Sequence, residues 1–172
     1  MPVEQIASER LVLRRLLDTD APAIADQIAD WDVVRMLARP PHPYGISDAQ
    51  AYLDHATQYP WEFAITLKGD DYLIGVIGIT GHLGYWLAQA HWGKGLMTEA
   101  AIALIDTYFS HTKSKKIVSG VFIDNPGSQG VLRKLGFTVT GQSRQFCPAR
   151  NDDVDHIDME LRRTAWLERR AA

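Results

Sequence analysis

The stretch from Gly84 to Ala101 reads Gly-Tyr-Trp-Leu-Ala-Gln-Ala-His-Trp-Gly-Lys-Gly-Leu-Met-Thr-Glu-Ala-Ala. A strand-like run passes through Gly93-Lys94-Gly95 directly into the most regular amphipathic helix of the chain. The first turn of a helix carries unpaired backbone N–H groups at the positive end of the helix dipole. Glycines at 93 and 95 put no side chain between those amides and a ligand, so phosphate oxygens can come close, and Lys94 adds a cation. The chemistry implied is the holding of a phosphate or pyrophosphate by Trp92, Gly93, Lys94, Gly95, Leu96, Met97 and Thr98. Two common nucleotide loops are excluded. A Walker loop would need glycine at 88 and Ser or Thr at 95, where Ala88 and Gly95 stand. A dinucleotide fingerprint would need a third glycine where Thr98 stands. Taken alone, the glycine pair is equally compatible with a tight strand-to-helix turn that binds nothing.

The elements that must position this loop can be read around it. Leu11 to Leu16 reads as a first strand, followed by a short helix capped from Asp18 to Asp20, a helical piece from Asp32 to Leu37, and a helix opened at Ser47 that reaches Gln58. Strands are expected over Trp61 to Leu67, Tyr72 to Thr80 and His82 to Leu87, the first two joined by the polar link Lys68-Gly69-Asp70-Asp71. Met97, Ala100, Ala101, Leu104, Ile105, Tyr108 and Phe109 then recur at intervals of three and four, which makes one apolar stripe on a helix. A strand over Lys116 to Ile123 precedes Asn125-Pro126, an N-cap and first helical residue, with Gly136 as the matching stop. Thr138 to Cys147 and Asp155 to Leu161 read as two more strands, and a short basic helix ends the chain. The order predicts an α/β layered (α+β) domain: a mixed, mostly antiparallel sheet of about seven strands with helices on both faces.

Composition bounds the rest. With 172 residues, 46% hydrophobic and 23% charged, the chain fits one globular domain that needs no disulfide or metal to fold. The single cysteine, Cys147, excludes an internal disulfide and fits a reducing cytosol. Cys147 has no histidine beside it and reads as an inert thiol, and His42, His55, His91, His111 and His156 show no metal-ligand spacing. A net charge of −3 and a pI near 6.0 argue against nucleic acid as partner. Neither a membrane-length apolar run nor a signal-peptide pattern is present, so a cytoplasmic protein with no membrane partner is expected.

Ala90-His91-Trp92-Gly93-Lys94-Gly95 resembles the acetyl-coenzyme A pyrophosphate loop of the GNAT N-acetyltransferases. The run from Gly84 to Ala100 is similar to the branch containing the ribosomal-protein N-terminal acetyltransferases. Asn125-Pro126-Gly127-Ser128 followed by Val131-Leu132-Arg133-Lys134-Leu135-Gly136-Phe137 resembles that branch's second signature, and Ser8 to Arg14 its opening strand. The likeness runs from about residue 8 to residue 161 of a single domain spanning 1–172, with one departure: Ala90 stands where Gln or Arg is common.

The resemblance implies a GNAT-like sheet with splayed central strands and an acetyl-coenzyme A co-substrate without a metal. Tyr85, Trp86 and Leu87 would lie on the strand that opens toward the pantetheine arm, with a backbone N–H near Trp86 or Leu87 polarising the thioester carbonyl. Trp92 to Met97 would cradle the pyrophosphate, Thr98 would add its hydroxyl, and Asn125 would hydrogen-bond the pantetheine amides. Ser128 stands where this branch protonates the departing thiolate. The acceptor ammonium must lose a proton before it attacks. His82, where many relatives carry glutamate, is the first candidate base, and Glu62 in Trp61-Glu62-Phe63 the second. The expected activity is direct acetyl transfer to a primary amine, a protein N-terminus or a small molecule, with a homodimer left open. A non-catalytic acyl-coenzyme A sensor and a mononucleotide-binding regulatory domain are the alternatives. The acceptor cleft falls between Ile28 and Tyr59, where Trp31, Tyr44, Tyr52 and Tyr59, with Trp61 just after, are candidate lining aromatics.

Overall fold

The computed structural model describes residues 2–172. In chain order the elements are β1 (Gln5–Ala7), β2 (Leu11–Arg15), α1 (Ala21–Ile28), α2 (Trp31–Val34), α3 (Ile46–Ala56), β3 (Glu62–Leu67), β4 (Leu73–Ile79), β5 (Leu83–Leu87), α4 (Leu96–His111), β6 (Lys116–Phe122), α5 (Pro126–Leu135), β7 (Thr138–Cys147), β8 (Asp152–Arg162) and α6 (Arg163–Ala171). Short 3₁₀ turns precede α1 and follow β5. The strands form two sheets, β1-β2-β3-β4-β5 and β6-β8-β7, and every pairing in both is antiparallel. The eighth strand, beyond the seven legible in the sequence, is the three-residue β1.

Strand alternation sorts side chains onto two faces. Phe63 and Ile65 of β3 and Ile77 and Ile79 of β4 bury themselves with α4, α5 and α6, where Ala100, Leu104, Ile105, Leu132 and Trp166 lie at 1% exposure or less. Ala64 and Val76 point the other way, into the layer of α1, α2 and α3 formed by Ile24, Ile28, Val34 and Leu53. The pairing of β3 with β4 slips by one residue between Ile65 and Thr66, so that Ile74 is extra on β4. This bulge reverses the alternation along β4, so that Ile74 faces the same layer as Ile77 and Ile79, and Leu73 the same layer as Val76. Among the described residues no helix is long and apolar enough to cross a membrane.

Helix ends follow local chemistry with one exception. Asn125 caps α5, its side chain accepting from the Ser128 N–H, with Pro126 in the first turn and Gly136 in the left-handed conformation at the far end. Helix α3, by contrast, is capped two residues earlier than Ser47. Gly45 is the N-cap, and the Asp48 carboxylate accepts from its N–H at 2.8 Å. Asp48, three residues after Gly45, can reach back to that N–H, whereas Ser47 lies already inside the helix.

Candidate active site

Strand β5 ends the first sheet and β6 begins the second, with no ladder between them. The seam is tied at one point, where the Ser119 hydroxyl donates to the Leu83 carbonyl at 2.8 Å. Backbone groups of an antiparallel strand alternate between its two sides. The Leu83 carbonyl faces the seam, and the Leu87 carbonyl accepts from the Trp92 indole N–H at 2.7 Å on the side away from β4. The Trp86 carbonyl lies instead against Gly75 of β4, where an added Cβ would come within 2.4 Å of it. The amides of Tyr85 and Leu87 therefore face the open seam, and that of Trp86 is turned toward β4.

The loop after β5 enters α4 through two glycines in the left-handed region, Gly93 at φ 73° and Gly95 at φ 74°. A Cβ on Gly93 would meet nothing within 4 Å, and one on Gly95 only the end of the Arg10 side chain at 3.7 Å. The space in front of these amides is open, as phosphate binding requires. Trp92 differs from the expectation. Its backbone N–H donates to Gln89 O at 3.1 Å and its indole to Leu87 O, so both donors are used within the chain. Lys94 Nζ donates to Ala90 O, and Glu99 clamps the loop to the β1–β2 turn by accepting from Ser8 Oγ at 2.6 Å and from Arg10 Nε at 2.7 Å. Burial pushes the Glu99 carboxyl up, but these hydrogen bonds outweigh it and hold its pKa below the usual carboxylate value.

Tyr85 crosses from β5 to α5, where its phenol and the Ser128 hydroxyl share a 2.7 Å hydrogen bond. Burial pushes the Tyr85 pKa up to about 12 against the opposing pull of Ser128, so the phenol keeps its proton at neutral pH. The sequence does not signal this pair, because β5 and α5 are brought together only by the tertiary fold.

On the opposite face three glycines leave a floor without side chains. In the ladder Glu62 stands beside Gly78 and Gly78 beside Gly84. The Glu62 carboxylate lies across Gly78, where an added Cβ would meet Oε2, and the His82 ring lies over Gly84, its Nε2 3.4 Å from where a Cβ would be. Beyond the seam the His156 ring covers Gly120 in the same way. Glu62 Oε1 accepts from the Tyr52 hydroxyl at 2.6 Å. Burial raises the Glu62 pKa, and the Tyr52 hydrogen bond and the charges of Arg39 and Arg15 only partly offset it. Burial lowers the His82 pKa, helped by the charges of Arg39 and His156, so His82 is a neutral imidazole at neutral pH.

The structure thus brings His82 and Glu62 onto one trough. It adds Arg39 and His156, which no local pattern marked, and gives Tyr52, a candidate lining aromatic, a definite partner in Glu62. Of the aromatics expected around the acceptor, Tyr52 reaches Glu62, Tyr44 is buried, and Trp61 packs edge-on against Tyr108 on the other face. Trp31 and Tyr59 remain exposed. Cys147 is fully buried, with its thiol directed at the Arg35 and Leu37 carbonyls, away from any base.

A family model described as an acetyltransferase (GNAT) domain matches residues 10–138. A probable N-acetyltransferase of Bacillus subtilis is 37% identical over 109 residues, covering 58% of this chain and 59% of that protein. The ribosomal-protein-serine acetyltransferase of Escherichia coli is 33% identical over 101 residues, 54% of this chain and 56% of that protein. The matched part thus spans little more than half the length of these two relatives. Among solved structures, a ribosomal L7/L12 α-N-protein acetyltransferase in complex with coenzyme A superposes with a TM-score of 0.79 at 21% identity, covering 94% of this chain and 99% of that one. At that identity the likeness is one of fold.

Proposed function

The chain belongs to the GNAT family of N-acetyltransferases, and from that premise we propose that it transfers acetyl directly from acetyl-coenzyme A to the α-amine of a polypeptide N-terminus. The observation that carries this reading is the opening of the sheet at β5, which has seam-facing amides at Tyr85 and Leu87, the open glycine loop on one side and the Glu62–His82 trough on the other. Acetyl-coenzyme A is the acyl donor, and the residues present suit it. The amides from Gly93 to Thr98 would take the pyrophosphate, and the Asn125 side-chain amide N–H and the seam-facing amides would take the pantetheine arm. The relative named for ribosomal-protein serine supports a protein terminus as the acceptor.

His82, neutral at neutral pH, takes a proton from the ammonium of the acceptor. The free amine attacks the thioester carbon, the N–C bond forms and the C–S bond breaks. An amide facing the seam, that of Leu87 or Tyr85, stabilises the oxyanion between these events. As the C–S bond breaks, the second proton of the attacking nitrogen passes to the hydrogen-bonded Tyr85–Ser128 pair and Ser128 delivers one to the departing thiolate, so that both hydroxyls end the cycle protonated. The Glu62 carboxyl group, held by Tyr52, orients the ammonium over the glycine floor.

Ser128→Ala is expected to lower kcat while leaving the Kd of acetyl-coenzyme A nearly unchanged, because thiolate protonation matters only as the adduct collapses. Tyr85→Phe is expected to give part of the same loss, and the double variant no more than the larger single loss. Strictly additive losses in steady-state kinetics would separate the two hydroxyls and remove Tyr85 from the proton path. The acceptor class is tested by incubating the enzyme and acetyl-coenzyme A with Ser- and Ala-initiated peptides, a peptide whose only free amine is a lysine side chain, and spermidine. Mass spectrometry should find acetyl on the α-nitrogen of the first two. Acetylation confined to lysine or spermidine would contradict the reading.

A further inference from the structure

The trough has a second imidazole. His156 on β8 points to the same face as His82, and its side chain is only 12% exposed. Its Nδ1 lies 2.9 Å from Asp158 Oδ1, and the same oxygen accepts from the Ser143 hydroxyl on β7 at 2.9 Å. A carboxylate can only accept, so Nδ1 carries the hydrogen in the neutral ring and Nε2 is left as the free acceptor. The Cε1–Nε2 edge of the ring lies over Gly120, with Nε2 2.6 Å from where a Cβ would be. Gly84 and Gly120 are each one residue beyond the Leu83–Ser119 bond that ties the seam, so the two rings flank the same opening from opposite sheets. A side chain at 120 would collide with the His156 ring, and one at 84 would pack directly against the His82 ring.

We propose that His82 and His156 form a two-imidazole relay across the seam, in which His82 takes the acceptor's proton and passes it, directly or through one water, to His156 Nε2, with Asp158 fixing the His156 tautomer. This rests on the N-acetyltransferase reading of the site and extends it from the identity of the base to the path by which the proton leaves. The balance is simple. The ammonium loses two protons on becoming an amide; one ends on the coenzyme thiol, and the other goes through His82 and His156 to solvent.

The surroundings favour that direction. His82 is exposed at one edge, but the partial burial of its ring disfavours the charged form, and the cation of Arg39 and His156 add to this. A proton on His156 meets the Asp158 carboxylate, the Ser143 hydroxyl and, edge-on at 5.9 Å, the Phe122 ring. The cations on that side are themselves paired: Arg150 stands over Phe122 at 5.3 Å and is paired with Asp124 at 2.7 Å, and Arg144, beside Ser143 on β7, lies 3.8 Å from Asp155. A His–Asp pair with its Nε2 open to a cleft is also how other enzymes hold an imidazole ready for a proton.

The test uses the full chain with ¹⁵N-labelled histidine. Imidazole spectra followed through a pH titration should show His156 as the Nδ1–H tautomer. His156→Gln should move the His82 midpoint upward by removing the neighbouring positive charge. With a Ser-initiated tripeptide and with spermidine as probe amines, His156→Gln should lower kcat about tenfold, carry the acid limb of the rate profile upward with the His82 midpoint, and leave the KM for acetyl-coenzyme A unchanged. Asp158→Asn, which retains both rings, should convert His156 to a mixture of tautomers and cause a smaller loss of kcat, so the relay can be judged even if His156→Gln does not fold. A His82 midpoint indifferent to His156, or a His156→Gln rate profile that overlays the parent, overturns the relay. Coupled titrations in a protein that turns over spermidine but not the peptide would overturn the N-terminal acceptor and leave the relay standing.

Discussion

His82→Gln is expected to reduce turnover at saturating acetyl-coenzyme A about 10²-fold, the lower range for losing a general base. The sign of the pH effect follows from the direction of the shift. A base works in its neutral form, and burial with the nearby charges of Arg39 and His156 disfavours the imidazolium of His82. The rate of the parent enzyme should therefore rise with pH along a limb centred below the ordinary imidazole value and be flat by neutrality. His82→Gln should lose that limb, and His82→Glu should retain more activity than His82→Gln because a carboxylate at this place can still accept a proton. Coenzyme affinity should be nearly unchanged in both, since the glycine loop follows β5 while His82 precedes it. A pH–rate profile of His82→Gln that superposes on the parent would transfer the role to Glu62, whose raised pKa and hydrogen bond to Tyr52 make it the next group able to exchange a proton.

Gly95→Val is expected to weaken acetyl-coenzyme A binding at least tenfold, or about 1.4 kcal/mol. Two physical effects add. Residue 95 sits at φ 74°, which a β-branched residue adopts only under strain, so the turn into α4 would shift. The new side chain would also stand in the open space before the first-turn amides of α4, where it meets only the tip of Arg10 within the protein. The buried face of α4 does not depend on that space, and Arg10 is met only at the exposed end of its side chain, so the variant should fold. Isothermal titration is the measurement, and an unchanged Kd in a folded Gly95→Val variant would falsify the phosphate placement.

What could be read in advance followed locality. The stripe from Met97 to Phe109 is a helix because periodicity of 3.6 is a property of neighbouring residues, and Met97, Ala100, Ala101, Leu104, Ile105 and Phe109 are indeed buried in α4. Asn125-Pro126 and Gly136 mark the ends of α5 by their own backbone preferences. The glycine loop was legible for the same reason. The bulge at Ile74 was not, since it is a relation between two strands that neither sequence contains alone. The cap of α3 was misplaced because Asp48 reaches back to Gly45, a reciprocal bond that a serine at 47 imitates in sequence. The trough was only half visible. His82 and Glu62 stood out as proton-accepting types near strand ends, but the Tyr52–Glu62 hydrogen bond and the approach of His156 to the seam depend on how β3, β5, β6 and β8 are arrayed. The sequence marks Tyr85 only as a residue of the strand before the loop, and its partnership with Ser128 appears only once α5 lies against β5. Trp92 shows the converse: both its donors are consumed by the turn that it helps to build, which the local sequence does not reveal.

The central claim is direct transfer from acetyl-coenzyme A to an amine held over the glycine floor, with no acetyl group resting on the protein. A single-turnover experiment with acetyl-coenzyme A labelled in the acetyl group, mixed with excess enzyme and a Ser-initiated peptide and quenched in acid across the time course, tests it most directly. Direct transfer predicts that label leaves the coenzyme and appears on the peptide α-nitrogen with one rate constant, and that none is found on the protein at any time. Label passing transiently through a protein side chain, or coenzyme A released with no acetylated peptide, would contradict it.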